Sequence, residues 1–186
     1  MGIKALAVLA LASGLALAAC DSNNVPSPAE RLNNPNASVD ADMASGLVLL
    51  NPQGLSVGAE SFFFAAGEAE VTRALNDLLG EPGARVEQDE CGAGPMTSAT
   101  FGEAITVNFQ NGTLVGWNLS GQNDRIGTVG GFSIGTPRAA VEVADGFDLI
   151  EGSTLGEEFT FGAGFAGFFE AGEVSMLYAG TQCFFR

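Results

Sequence analysis

The chain has 186 residues but no histidine, a single lysine, one tryptophan, one tyrosine and three cysteines. Without histidine, neither a Ser-His-Asp nor a Cys-His constellation can form, and zinc or iron held by imidazole is excluded. Cations are equally scarce, with seven Lys plus Arg against 22 Asp plus Glu and a net charge of -15. Such a surface cannot neutralise a run of phosphates, so nucleic acid is not an expected partner. There is no Cys-x-x-Cys spacing either, which removes the usual redox and metal-clasp motif. What remains is apolar: 46% hydrophobic residues, including 14 Phe, suffice for a real core and argue against global disorder. The length suits one domain or two small ones.

The first residues are a signal rather than structure. Met1-Gly2-Ile3-Lys4 is a short positive start, and residues 5–19 form an uncharged run of 15. That run is short for roughly 30 Å of hydrocarbon but suits a secretory apolar region. It ends in Leu17-Ala18-Ala19-Cys20, which resembles the bacterial lipobox. The resemblance implies cleavage before Cys20 and lipidation of that cysteine, anchoring an exported chain to the cell membrane. Asp21 resembles an inner-membrane retention signal of some enteric bacteria, and the choice of inner or outer membrane stays open. Lys4 is the only lysine, so the mature chain would carry six Arg against 22 acidic residues, or -16. Residues 20–45 are rich in Asn, Ser, Pro, Ala and Asp without apolar periodicity and read as a tether. A flexible segment of that length reaches roughly 25–30 Å.

Setting Cys20 aside leaves Cys91 and Cys183. In an exported chain this pair reads as a disulfide. A redox or metal pair is the weaker alternative. The bond would close 92 residues of sequence and stabilise by about 4–5 kcal/mol on the chain-entropy model.

Residues 46–186 read as one globular domain containing two copies of a helix followed by a β-hairpin, over 46–122 and 123–186. At an offset of 60, the stretch 105–117 aligns with 165–177, and each has a two-residue turn ending in glycine, Asn111-Gly112 and Ala171-Gly172. The helices precede the hairpins. Val71, Leu75 and Leu78 share one face of 67–79, with Gly80 and Pro82 as stop signals. Thr136 and Pro137 open a second helix carrying Val141 and Ala144 and ending at Gly146. The expected fold class is therefore α+β, an antiparallel sheet from two tandem helix–hairpin repeats with helices packed on one face.

This arrangement resembles the tandem modules of beta-lactamase inhibitory protein and of BamE-type outer-membrane assembly lipoproteins. The tail from Gly180 to Arg186 also resembles that of uncharacterised envelope lipoproteins ending in Gly-x-x-Cys-x-x-Arg. The likeness is one of arrangement and carries over no functional residue. It implies binding or scaffolding with a protein partner of the envelope rather than catalysis.

Gly162 to Gly167 fits Gly-x-Gly-x-x-Gly, yet it leads into a hairpin strand, whereas a dinucleotide loop must open a helix. The adjacent acids Asp89-Glu90 and Glu157-Glu158 read as solvated faces rather than a catalytic pair. No cofactor and no metal site are expected. Extending the hairpin pairing from each turn without interruption places Ile105, Val107, Phe109 and Leu114 on a core face. The same extension places Val115, Trp117, Phe168 and Leu177 on the opposite, mixed face. Aromatic residues on an otherwise polar sheet face suit protein recognition, so these four are the candidate partner-binding residues. The expected function is a membrane-anchored, non-enzymatic protein-binding module. The alternatives are a carrier or sensor of a small apolar ligand and, less favoured, a carboxylate-based envelope enzyme.

Overall fold

The computed structural model describes residues 47–162 and 164–184. The signal region, Cys20 and the tether lie outside these residues. Among the described residues, twelve strands form two sheets, and helix is confined to α1 (Glu68–Leu79) and the four-residue α2 (Arg138–Val141). The expectation of α+β with helices covering one face is thus overturned, and the fold is mostly β. One reason is the shortness of α2. Its segment offers only Val141 as a buried anchor, while Val143 is exposed, and so short a turn gains little from helix propagation. The other reason is that residues 47–63 form strands, which the expected fold did not include.

Those strands are β1 (Val48–Asn51), β2 (Gly54–Val57) and β3 (Glu60–Phe63), joined by β8 (Ile126–Thr128) in a four-stranded sheet ordered β3-β2-β1-β8. The β1–β8 pairing is parallel, and the other pairings in this sheet are antiparallel. Gly54 makes the first turn possible. A Cβ there would lie 2.0 Å from the Phe62 carbonyl oxygen, with φ at 154°.

The larger sheet has eight strands. Its first half is a meander of β4 (Ala84–Gln88), β5 (Met96–Phe101), β6 (Ile105–Gln110) and β7 (Thr113–Leu119). The second half comprises β9 (Asp148–Leu149), β10 (Glu157–Phe161), β11 (Phe165–Glu170) and β12 (Glu173–Gly180). The sheet order is β4-β5-β6-β7-β12-β11-β10-β9, so the last strand of each half meets the other in the middle.

The halves share backbone devices at matched positions. Ala65 donates to the Leu114 carbonyl, Leu114 to Ala66, and Glu68 to Gly112; Gly135 donates to Val174, Val174 to Thr136, and Arg138 to Gly172. Ala65 and Gly135 both have positive φ, 78° and 86°. Both hairpins turn through left-handed residues, Asn111-Gly112 and Ala171-Gly172, with glycine second in each. Gly162 and Gly164 flank the turn between β10 and β11, so that glycine-rich stretch joins two strands.

One apolar core joins the inner face of the long sheet to Val48, Leu50, Leu55 and Phe62 of the small sheet and to Val71 and Leu75 of α1. Its centre is aromatic: Phe159 stacks on Phe169 at 4.1 Å and Phe161 on Phe165 at 4.9 Å, while Trp117 meets Phe165 edge-on.

Candidate functional site

The four expected binding residues do not share a surface. Trp117 and Leu177 are both 0% exposed. The cause is a β-bulge in each hairpin, between Asn108 and Phe109 in one and between Phe168 and Phe169 in the other. Phe109 pairs with Leu114 as the turn dictates, but Val107 then pairs with Trp117 rather than Gly116. Likewise Gly167 pairs with Leu177 and not with Met176. One extra residue, Val115 or Ser175, reverses every side chain beyond it. Trp117 and Leu177 therefore turn into the core, while Met176 and Tyr178 turn out. Trp117 completes its burial by donating Nε1–H to the Asn51 carbonyl at 2.9 Å. Of the four, Val115 and Phe168 keep partial exposure. Phe168 is packed against Tyr178 and Phe184 at 5.7 and 5.5 Å between ring centroids.

The outer face of the first half is a neutral polar network that holds the C-terminal segment. Gln182 is its hub. Its Nε2 donates to the carbonyls of Trp117 and Ala179 at 3.0 and 2.9 Å, and its Oε1 accepts from Asn108 and Asn118. Buried Asn108 also donates to the Thr181 carbonyl and accepts from Ser98 Oγ at 2.8 Å. Gly116 permits this approach, because a Cβ there would sit 2.2 Å from the Thr181 oxygen. The docked segment brings Cys183 to Cys91. Both are free thiols, and the expected disulfide is not formed in this structure. Burial first, and the hydrogen bond with the Cys91 thiol second, push the Cys183 thiol up to about 11.

In the second half the matched positions carry different chemistry. Glu158 stands where the first half has Ser98, and it is 0% exposed rather than part of a solvated face. Its carboxylate accepts from Ser153 Oγ at 2.5 Å and from the Tyr178 hydroxyl. Its neighbour Glu157 is exposed and pairs with Arg138 at 2.8 Å. Arg138 also binds Glu142 and lies 5.2 Å over the Phe169 ring; the two carboxylates, Glu142 foremost, raise its pKa further above the ordinary arginine value. Among the described residues, no group of three or more Cys, Asp or Glu is placed to hold a metal ion.

A groove and two clefts border β4, which ends the long sheet and is exposed along all but Gln88. Two further clefts, of about 280 and 250 Å³, lie elsewhere, beside Val57 and Ala74 and beside Gln122 and Ile134. On the α1 side of β4 lies a groove of about 630 Å³, lined by Glu68, Thr72, Arg73, Asn76, Glu81 and Arg85 among others. Arg85 folds back to pair with Glu68, and Arg73 bridges Glu60 and Asp77. A smaller cleft of about 190 Å³ continues it past Glu87 and Asp89. On the opposite side of the sheet, a third cleft of about 190 Å³ opens beside Val86, Gln88 and Ser98. Buried side-chain oxygens without a hydrogen-bond partner, among the described residues, are Thr72 Oγ1, Asn76 Oδ1 and Gln88 Oε1. All three belong to residues lining these clefts. Sequence reasoning gave β4 no role. Its signals are weak: a turn at Pro82-Gly83, then alternation over 84–88 with no strongly apolar face.

No protein-family model matches the chain, and no curated protein or solved structure matches it.

Proposed function

We propose that the chain is an exported, lipid-anchored envelope protein whose residues 46–186 act by binding another protein. The Leu17-Ala18-Ala19-Cys20 pattern and the tether-like composition of residues 20–45 support the anchoring. The matched hydrogen bonds and bulges support reading the long sheet as a duplicated unit. The observation that carries the binding reading is the exposed end of that sheet, where an open groove and two clefts converge on one strand. The polar groups elsewhere are engaged in holding the chain together: Gln182 and Asn108 fasten the C-terminal segment, and Ser153 and Tyr178 serve Glu158. The closeness of Cys91 and Cys183 supports a disulfide in an oxidising compartment, a disulfide-bearing oxidant taking the two electrons.

The test is site-specific photocrosslinking of the full lipidated chain in its own membranes. Probes at Glu81 and Val86 flank the clefts; Val143, exposed and on the α2 segment, is the control. The expected result is one discrete adduct from Glu81 or Val86 and none from Val143. Absence of any stoichiometric adduct, from these positions or from a wider scan of exposed sites, overturns the binding reading.

A further inference from the structure

We infer that the free edge of β4 receives an extended, cationic segment of the partner as an added strand. This rests on the protein-binding reading above and specifies its site and chemistry. An edge strand presents unpaired backbone donors and acceptors, the ready template for strand addition. Among the described residues, no strand lies beyond β4.

The clefts fit such a strand. Side chains of an added strand alternate between the two faces of a sheet. Arg85 and Glu87 border the clefts on the α1 side, and Val86 and Gln88 border the cleft on the other. An incoming segment therefore finds an open cleft beside β4 on each face of the sheet.

Charge selects the occupant. The α1-side clefts carry Glu68, Asp77, Glu81, Glu87 and Asp89 against Arg73 and Arg85. Both arginines are already paired within the chain. A second copy of so acidic a protein is repelled, whereas a basic segment is attracted. The other edges are less suited. β9 has only two residues, β8 has three, two of them buried, and β3 is tied to α1 through the 2.9 Å pair of Glu60 and Arg73.

The experiment uses the full chain and three synthetic peptides: one alternating lysine and threonine, one alternating glutamate and threonine, and the first with alternate backbone nitrogens methylated. Binding is read by fluorescence anisotropy and its location by amide hydrogen exchange. The lysine peptide should bind, weaken as salt is raised, and slow exchange over residues 84–88. The glutamate and methylated peptides should bind at least tenfold more weakly. Glu81→Lys/Glu87→Lys, a pair of exposed positions, should lose about tenfold in affinity for the lysine peptide with unchanged thermal unfolding. Equal affinity for the methylated peptide, or protection only outside 84–88, overturns strand addition. Preferred binding of the glutamate peptide overturns the charge assignment, and a dimer paired through β4 overturns the occupant. A photocrosslinked partner mapping away from β4 sinks this inference while leaving the protein-binding reading intact.

Discussion

The two halves of the long sheet agree in backbone and differ in side chains. Both use a left-handed residue before the helix, a glycine-closed hairpin turn and a bulge just past the second hairpin pair. Yet Ser98, Asn108 and Asn118 of the first half are matched by Glu158, Phe168 and Tyr178 of the second. The first half thus clamps the C-terminal segment with amides, and the second builds a buried carboxylate beside an aromatic cluster. At the outer ends the contrast is greater: β4 has five residues next to the twelve-residue α1, while β9 has two next to the four-residue α2. Backbone geometry is what makes the halves join; side chains and edge lengths are what give each its own surface.

The strongest way to break this comparison is to cut the same core position in each half. Trp117→Ala should cost about 3–5 kcal/mol and Leu177→Ala about 2–5 kcal/mol. Denaturant unfolding of both variants should stay two-state with unchanged slope, because the two residues lie in one core. A stable intermediate retaining only one half would show that the halves fold separately.

A smaller effect tests the outer face. Glu158→Ala strands two hydroxyl donors and should cost about 1–3 kcal/mol. Ser98→Ala, at the matched position, removes one neutral donor and should cost about 1 kcal/mol. Equal costs in denaturant titrations would mean that the buried carboxylate is no more integral than the hydroxyl.

The smallest effect concerns the two thiols in the reduced protein. With the Cys183 pKa raised to about 11, the folded state favours the neutral thiol. Its contribution to stability is therefore complete below the ordinary thiol range and fades as pH rises through about 11. Alkylation of Cys183 should keep accelerating up to that pH. Gln182→Ala, which frees the segment, should bring the midpoint back to the ordinary thiol range. An unchanged midpoint would show that the amide hub does not hold Cys183 in place.

Local chemistry was legible in the sequence wherever a turn or a helical stripe imposed it. Val71 and Leu75 do face the core from α1, and both hairpins turn at the expected glycines. The bulges were not legible from periodicity, since an added residue leaves the residue types unchanged and alters only their phase. Gly116 and Gly167, isolated glycines inside strands, were the available signs. Strands β1 to β3 carried a signal in Asn51-Pro52-Gln53-Gly54, a turn between two apolar runs, whereas the polar β4 had almost none. The candidate site was missed for that reason: an edge strand with little to bury leaves little pattern to read.

The meeting of β7 with β12 has a consequence for synthesis. β12, the last strand among the described residues, is an interior member of the eight, and its residues 177–180 pair with 116–119. A ribosome releasing the chain from its N-terminus delivers this keystone after all the other described strands. Until about residue 180 has emerged, the first meander has an open side at β7. A truncation before β12 leaves two half-arches, each with a raw edge where the join should be.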